Sequence, residues 1–522
     1  MVNVVSEIVH KPIIGRQLFD IVTSGMYDNP MMVYREYIQN SVDSIDLAIE
    51  QELMAQESAR ISISLNGNSR SITIEDNGQG LSNDIAHSIL TNIGCSPKEG
   101  TVQRGFRGIG RLAGLAYCDE LVFETRSVND ELVSVVRWNR KEFDALTTDS
   151  KKNITLSEMI QAVAILDYEE PAEDTPIQFF RVTLHNVHRF HSDRLMNLKS
   201  VTDYLAHSAP VPFDKQIFSY AEALENYLSQ TTDHRCYLIT VNDRQIYRPY
   251  SDRINLSTNN FDYIHAIEYF QFKGVNSEIV AFGWYARTNF LATLPNSLNV
   301  KGIRVRQGNI EVGGEHYLND KFSEPRFSGW QIGEIHVVNG ALKPNARRDG
   351  FEQTPNFERF LEQSHMLGRH LSSVCRKSSN KRIVNARVQS LLTQLEKLFD
   401  DPLTYIDEEH YQQAINNSCV MVENIEKIFT AGISEKLTQR LNEVKQKMGS
   451  HAQQPTFLEH VLDGRKLKHF DRKGLLKHVA KTIIDCYSSS KSPEDILQHI
   501  FEEFTKPTYG HHKVSCGHRG QV

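Results

Sequence analysis

The sequence predicts an α+β chain whose last third is all-helical, and three observations predict it. Residues 28–50 carry apolar side chains at Val33, Tyr37, Ile38, Val42, Ile45 and Leu47, the spacing of one long amphipathic helix. Two runs, 60–65 and 71–75, alternate in period two around the turn Asn66-Gly67-Asn68, which is the pattern of a β-hairpin. Beyond residue 383 only helical periodicity remains, over 386–399, 409–429, 434–448 and 474–486.

The other elements follow in order. Residues 11–26 read as a helix leading into the long one. A short helix over 82–90 precedes a loop at 92–104, whose length suggests a lid, and 111–116 is helical again. Runs 120–126, 131–138 and 178–185 are strands, so antiparallel strands under a few helices make an α+β sandwich. A helix over 195–209 is broken by Ala209-Pro210-Val211-Pro212-Phe213. The expected division is therefore 1–210, then an α+β domain over 211–382 with strands at 235–241, 279–284, 302–305 and 333–338, then the helical region 383–522.

The 522 residues, 40% hydrophobic and 24% charged, have the balance of a globular protein with several cores. A net charge of -7 argues against a surface that generally seeks nucleic acid. No run of about 18 apolar residues occurs, and the N-terminus lacks a basic-then-apolar leader, so the expectation is a cytoplasmic protein with no membrane partner. Seven scattered cysteines without a CxxC pair are expected as free thiols. The tail His511, His512, Cys516, His518 is either a zinc-ligating set or a frayed end.

The chemistry concentrates early. Glu36, Asn40 and Asp43 stand at i, i+4 and i+7 on the long helix. They form either a solvated polar stripe or a face that holds a metal ion and a water. A carboxylate and two spaced glycines, Asp76, Gly78 and Gly80, end the second hairpin strand. They make a common turn, or one that lets backbone approach a flat ligand while the carboxylate accepts from an amine. Gly105, Gly108 and Gly110 open the next helix, where free backbone N–H groups can cradle phosphate.

In this order and spacing, REYIQNSVDSI (residues 35–45), DNGQGLS (76–82) and GFRGIGRLAGLA (105–116) resemble the first three nucleotide-binding motifs of the GHKL ATPase superfamily, over residues 15–185. The resemblance implies a Bergerat α/β sandwich that binds ATP with Mg²⁺. Asp76 would bind the adenine amine beside Gly78 and Gly80, Asn40 would coordinate Mg²⁺, and Glu36 would activate the attacking water. Gly105, Gly108 and Gly110 would hold the phosphates under a lid at 92–104. Asp43, Lys98, Phe106 and Ile109 are carried over as further nucleotide contacts. The family's late Gly-Thr pair is missing from 175–184, with Thr175 or Thr183 as its substitute.

Residues 340–349, GALKPNARRD, are similar to the middle-domain arginine loop of the ninety-kilodalton heat-shock chaperones, which makes Arg348 the γ-phosphate sensor, with Arg347 or Lys343 as alternates. By that likeness the chain is an HtpG-like ATP-hydrolysing clamp, a homodimer acting on a client or partner protein. The alternative is a MORC- or MutL-like clamp on DNA in bacterial defence or repair, which the basic cluster 465–473 favours and the net charge opposes. A third reading is a scaffold that binds ATP with negligible turnover. The cationic turn at 302–309 is expected to be solvated strand ends, with a partner-binding or DNA-facing edge less favoured.

Overall fold

A computed structural model describes residues 29–92, 110–148, 155–189, 192–231, 234–345, 347–400, 408–428 and 435–451. The expected helix at 11–26, the lid from 93 onward, the helix at 474–486, the basic cluster at 465–473 and the His/Cys tail lie outside them. The chain divides into two compact units, Met1–Ser378 and Ser379–Val522. Among the described residues Cys118, Cys236, Cys375 and Cys419 are in no disulfide, and no helix is long and apolar enough to cross a membrane.

The first unit begins with the long helix α1 (Met32–Glu50), whose Val33, Tyr37, Ile38, Val42 and Ile45 face inward as their spacing predicts. The hairpin forms between β1 (Arg60–Asn66) and β2 (Ser71–Asp76), Ile63 opposite Ile74. Helix α2 (Asn83–Thr91) and a 3-10 turn over Gly110–Tyr117 come next. Strands β3 (Glu120–Arg126) and β4 (Val133–Asn139) follow, then the short helices α3 (Arg140–Thr148) and α4 (Leu156–Val163), β5 (Ala164–Glu169) and β6 (Phe179–His185). The sequence reading assigned no element between 138 and 178, where α4 passes into β5 without a glycine or proline. The capping box of Thr155 and Glu158 marks where α4 starts.

Beyond helices α5 (Leu198–Ser208) and α6 (Ala221–Thr231) lie β7 (Leu238–Val241) and β8 (Arg244–Gln245). The sheet order is β5-β4-β3-β6-β2-β1-β7-β8, and β7 runs parallel to β1 with Ile61 opposite Ile239. The sheet thus crosses the boundary expected at residue 210. Proline breaks the helix there, but the backbone of β1 is completed from beyond it.

A small hairpin, β9 (Arg253–Ser257) and β10 (Asn260–Tyr263), precedes a second sheet of β11 (Ala266–Lys273), β12 (Ile279–Arg287), β13 (Gly302–Gln307), β14 (Ile310–Val312) and β15 (Ile332–Val337), ordered β11-β12-β15-β13-β14. One face of it, with Ile303, Val305, Ile335 and Val337, packs with Phe357, Phe360 and Leu371 of helix α7 (Pro355–Asp400).

The opposite face is where the sequence reading of 302–309 is corrected. Arg304, Arg306 and Asn309 are 4%, 0% and 2% exposed, so the turn is not a solvated edge. Glu311 neutralises Arg304 at 2.8 Å, and Glu334 neutralises Arg306: its carboxylate pairs with Arg306 at 2.7 Å and with Arg248, accepts from Tyr250 Oη at 3.0 Å, and meets His336 at 3.0 Å. Burial alone would raise the Glu334 carboxyl, but Arg248 and Arg306 outweigh it and hold it well below the usual carboxylate range.

In the second unit, residues of α7 from 379 onward pack with α8 (Glu408–Ile428) and α9 (Glu435–His451) through Val388, Leu392, Leu395, Ile425, Leu441 and Val444. This is the helical region expected from the sequence, although α7 starts about thirty residues earlier than its periodicity suggested, at Pro355. Glu334→Ala leaves two guanidinium groups buried without a counter-charge and is expected to lose about 3–5 kcal/mol in denaturant unfolding.

Candidate active site

The site is built where α1 crosses the sheet. Glycine at position 78 lets them touch, because a Cβ there would stand 2.6 Å from the Ser44 carbonyl carbon and 2.7 Å from the Ile45 nitrogen. Gly80 has φ +66, and its Cβ would lie 2.8 Å from the Arg126 carbonyl carbon. Asn77 has the ordinary turn role, accepting from Arg60 N at 2.9 Å and donating to Ser58 O at 2.7 Å.

Asp76 lies between these glycines and the helix at 1% exposure, accepting from Gly78 N at 3.0 Å. Burial pushes its carboxyl up from the ordinary 3.8 to about 7, while the Ser41 and Ser44 hydroxyls and the Gly78 N–H pull the other way. Those two serines are site residues that the sequence reading missed. Their signal was the i, i+3 spacing that turns both toward the sheet end.

Glu36, on the next part of the helix, is 13% exposed, with its carboxylate 3.2 Å from Arg35 Nη2. Gly110 lies against it: a Cβ there would collide with Glu36 Oε2 and stand 3.1 Å from Cδ. Tyr37 fixes that approach, donating to Arg111 O at 3.0 Å and accepting from Gly114 N at 3.0 Å. Asn40 follows one turn after Glu36 and is partly exposed, whereas Asp43 is closed off at 1%. The stripe is therefore graded, with Glu36 and Asn40 partly exposed and Asp43 buried.

The loop 340–349 reaches the same turn of α1. Arg35 Nη2 donates to Arg347 O at 3.0 Å. Oriented with its oxygen toward the guanidinium, the Gln39 carboxamide accepts from Arg348 Nε at 3.2 Å and Nη1 at 2.5 Å. Arg348 is 9% exposed with φ +53, while Lys343 pairs with Glu352 at 3.2 Å. Arg348, rather than either alternate side chain, thus sits beside the residues flanking Glu36.

Thr183 is corrected. In β6 it lies opposite Thr73, their hydroxyls 3.3 Å apart, whereas Asp76 lies opposite Phe180. Successive strand residues alternate faces, so Thr183 is on the far face of the sheet from Asp76 and α1. Thr175 sits in a turn, its N–H donating to Ala172 O at 3.0 Å. Lys98, Gly105, Phe106, Gly108 and Ile109 lie outside the described residues.

Comparison with known proteins agrees with this geometry. Residues 29–167 match the family model described as histidine kinase-, DNA gyrase B- and HSP90-like ATPase. The chain is 29% identical over 144 residues to "Chaperone protein HtpG" of Paraburkholderia xenovorans, covering 24% of this chain and 22% of that protein. It is 29% identical over 143 residues to the protein of that name from Acinetobacter baylyi, covering 23% and 22%. The matched stretch thus spans about a fifth of the length of these curated relatives.

Because the folded-state value of Asp76 exceeds its unfolded one, ionising it opposes folding. The unliganded chain is expected to lose stability, roughly 2–4 kcal/mol, as pH rises from about 4 to about 7, and to level off above. Asp76→Asn should flatten that limb when unfolding is measured across the range.

Proposed function

Residues 29–167 are a GHKL ATPase domain, and on that premise we propose that this chain hydrolyses ATP with Mg²⁺ and works as a chaperone-like, cytoplasmic, homodimeric clamp on a client protein. One observation supports the reading above others. Gly110, from the start of one helical turn, and Arg348, from a segment about 240 residues later, both come against the single helical turn that carries Glu36.

The residue types suit the chemistry. Asp76, buried beside Gly78 and the serines of α1, would accept from the adenine amine. Gly110, with Gly105 and Gly108, would offer backbone N–H groups to the phosphates. Magnesium takes few protein ligands and leaves the rest to phosphate and water, which fits a site where the carboxamide of Asn40 stands beside one carboxylate. No group of three or more His, Cys, Asp or Glu among the described residues could hold a metal without the nucleotide. When bound, the ion would draw charge from the phosphates.

Glu36 would then take a proton from the attacking water, its carboxylate steadied by Arg35. Arg348 would turn from Gln39 to the γ-phosphate, for which a planar, permanently charged group is suited. Asp43, already enclosed, would brace the helix and reach the nucleotide only indirectly. The DNA-clamp alternative draws no support from 302–309, whose cations are buried.

Phosphate release measured alone, with unfolded protein and with DNA separates the readings. Stimulation by unfolded protein is expected, and stimulation by DNA alone would overturn the chaperone assignment. Glu36→Ala should keep nucleotide binding and lose about 10²–10⁴-fold in turnover. Asp76→Asn should abolish binding in a titration, and wild-type affinity there would mean that adenine is read elsewhere.

A further inference from the structure

Helix α1 is gripped at two points by segments that hydrogen-bond to the two ends of β14 in the second sheet. The front grip is Arg35 and Gln39 on Arg347 and Arg348, and the Arg348 carbonyl in turn accepts from Gly313 N at 3.1 Å. The rear grip is Asp46, which accepts from Tyr237 Oη at 2.5 Å and Arg235 Nη1 at 3.1 Å. The Arg235 carbonyl accepts from Asn309 Nδ2 at 2.8 Å.

Asn309 and Gly313 bracket β14. The turn before it, Gly308 and Asn309 with φ +53 and +63, is the two-residue form that leaves a hairpin little freedom. Asn309 is itself locked, since its carboxamide oxygen accepts from Arg248 Nη2 and its carbonyl from Arg306 Nη1 at 3.3 Å. The lengths match: eleven helical residues from Arg35 to Asp46 span about 16 Å, and four strand steps from Asn309 to Gly313 about 13 Å.

We propose that Asn309 is a positioning residue for the hydrolytic site, holding the rear of α1 through Arg235 and Asp46 so that β14 sets the angle at which Glu36 is presented. The inference rests on the ATPase reading and adds to it a route by which the second sheet regulates turnover. Because the contacts are hydrogen bonds and an ion pair, they have discrete made and broken states.

The test uses the full chain. Asn309→Gly removes the carboxamide while allowing the positive φ, and Asp46→Asn weakens the same link from the helix side. Each is expected to lower kcat about tenfold, with nucleotide Kd changed by less than about twofold, and the double variant no further than the worse single one. Nucleotide should also slow hydrogen exchange over 308–313 in the wild type but not in Asn309→Gly.

Wild-type kcat in the variants, additive losses, or a fall in kcat matched by an equal rise in Kd would overturn the inference and leave the ATPase reading intact. If Asn309→Gly fails to fold, Asp46→Asn carries the same comparison. If the wild type binds nucleotide without turnover, the exchange measurement decides. A wild type that takes up no nucleotide ends the underlying reading, and this inference with it.

Discussion

Contact between one helix and two glycines underlies everything else at the site. With Gly78 under the backbone of Ser44 and Ile45, helix and strand end approach to distances that a Cβ would block, and Gly110 lies against the Glu36 side chain. An enclosed carboxylate, Asp76, and a partly exposed one, Glu36, then lie along the same helix. The apolar stripe of the helix supplies the energy for this approach, by burying Val33, Tyr37, Ile38, Val42 and Ile45 on the sheet.

The ordering of the motifs was legible because each is short, local and tied to a glycine or a carboxylate. Strand β3 falls where its alternation puts it, residue for residue, and β6 comes within one residue. What depended on distant partners was not legible. The faces of β6 are decided by its pairing with β2, so a threonine of suitable type at position 183 was assigned to a pocket it faces away from. Cations at 304 and 306 looked solvated because the carboxylates that neutralise them, Glu311 for Arg304 and Glu334 for Arg306, come from beyond the turn.

The buried face around Glu334 differs from the apolar cores on either side of it. Hydrocarbon surfaces tolerate many packings, but charges and carboxamides must find their partners in one arrangement or lose much of their stabilisation. Arg248, Arg306, Asn309 and Glu334 therefore fix how the strands near the second sheet's edge meet the segment that leads into β7. Such a network defines a register more sharply than it adds to stability.

The parallel pairing of β1 with β7 bears on how this protein can be taken apart. A fragment cut at the proline break would keep the sequence motifs yet leave an inner strand of the sheet as a raw border, ready to recruit a neighbouring molecule. The smallest soluble piece that preserves the nucleotide pocket is thus expected to extend past residue 245, well beyond where the recognisable motifs stop.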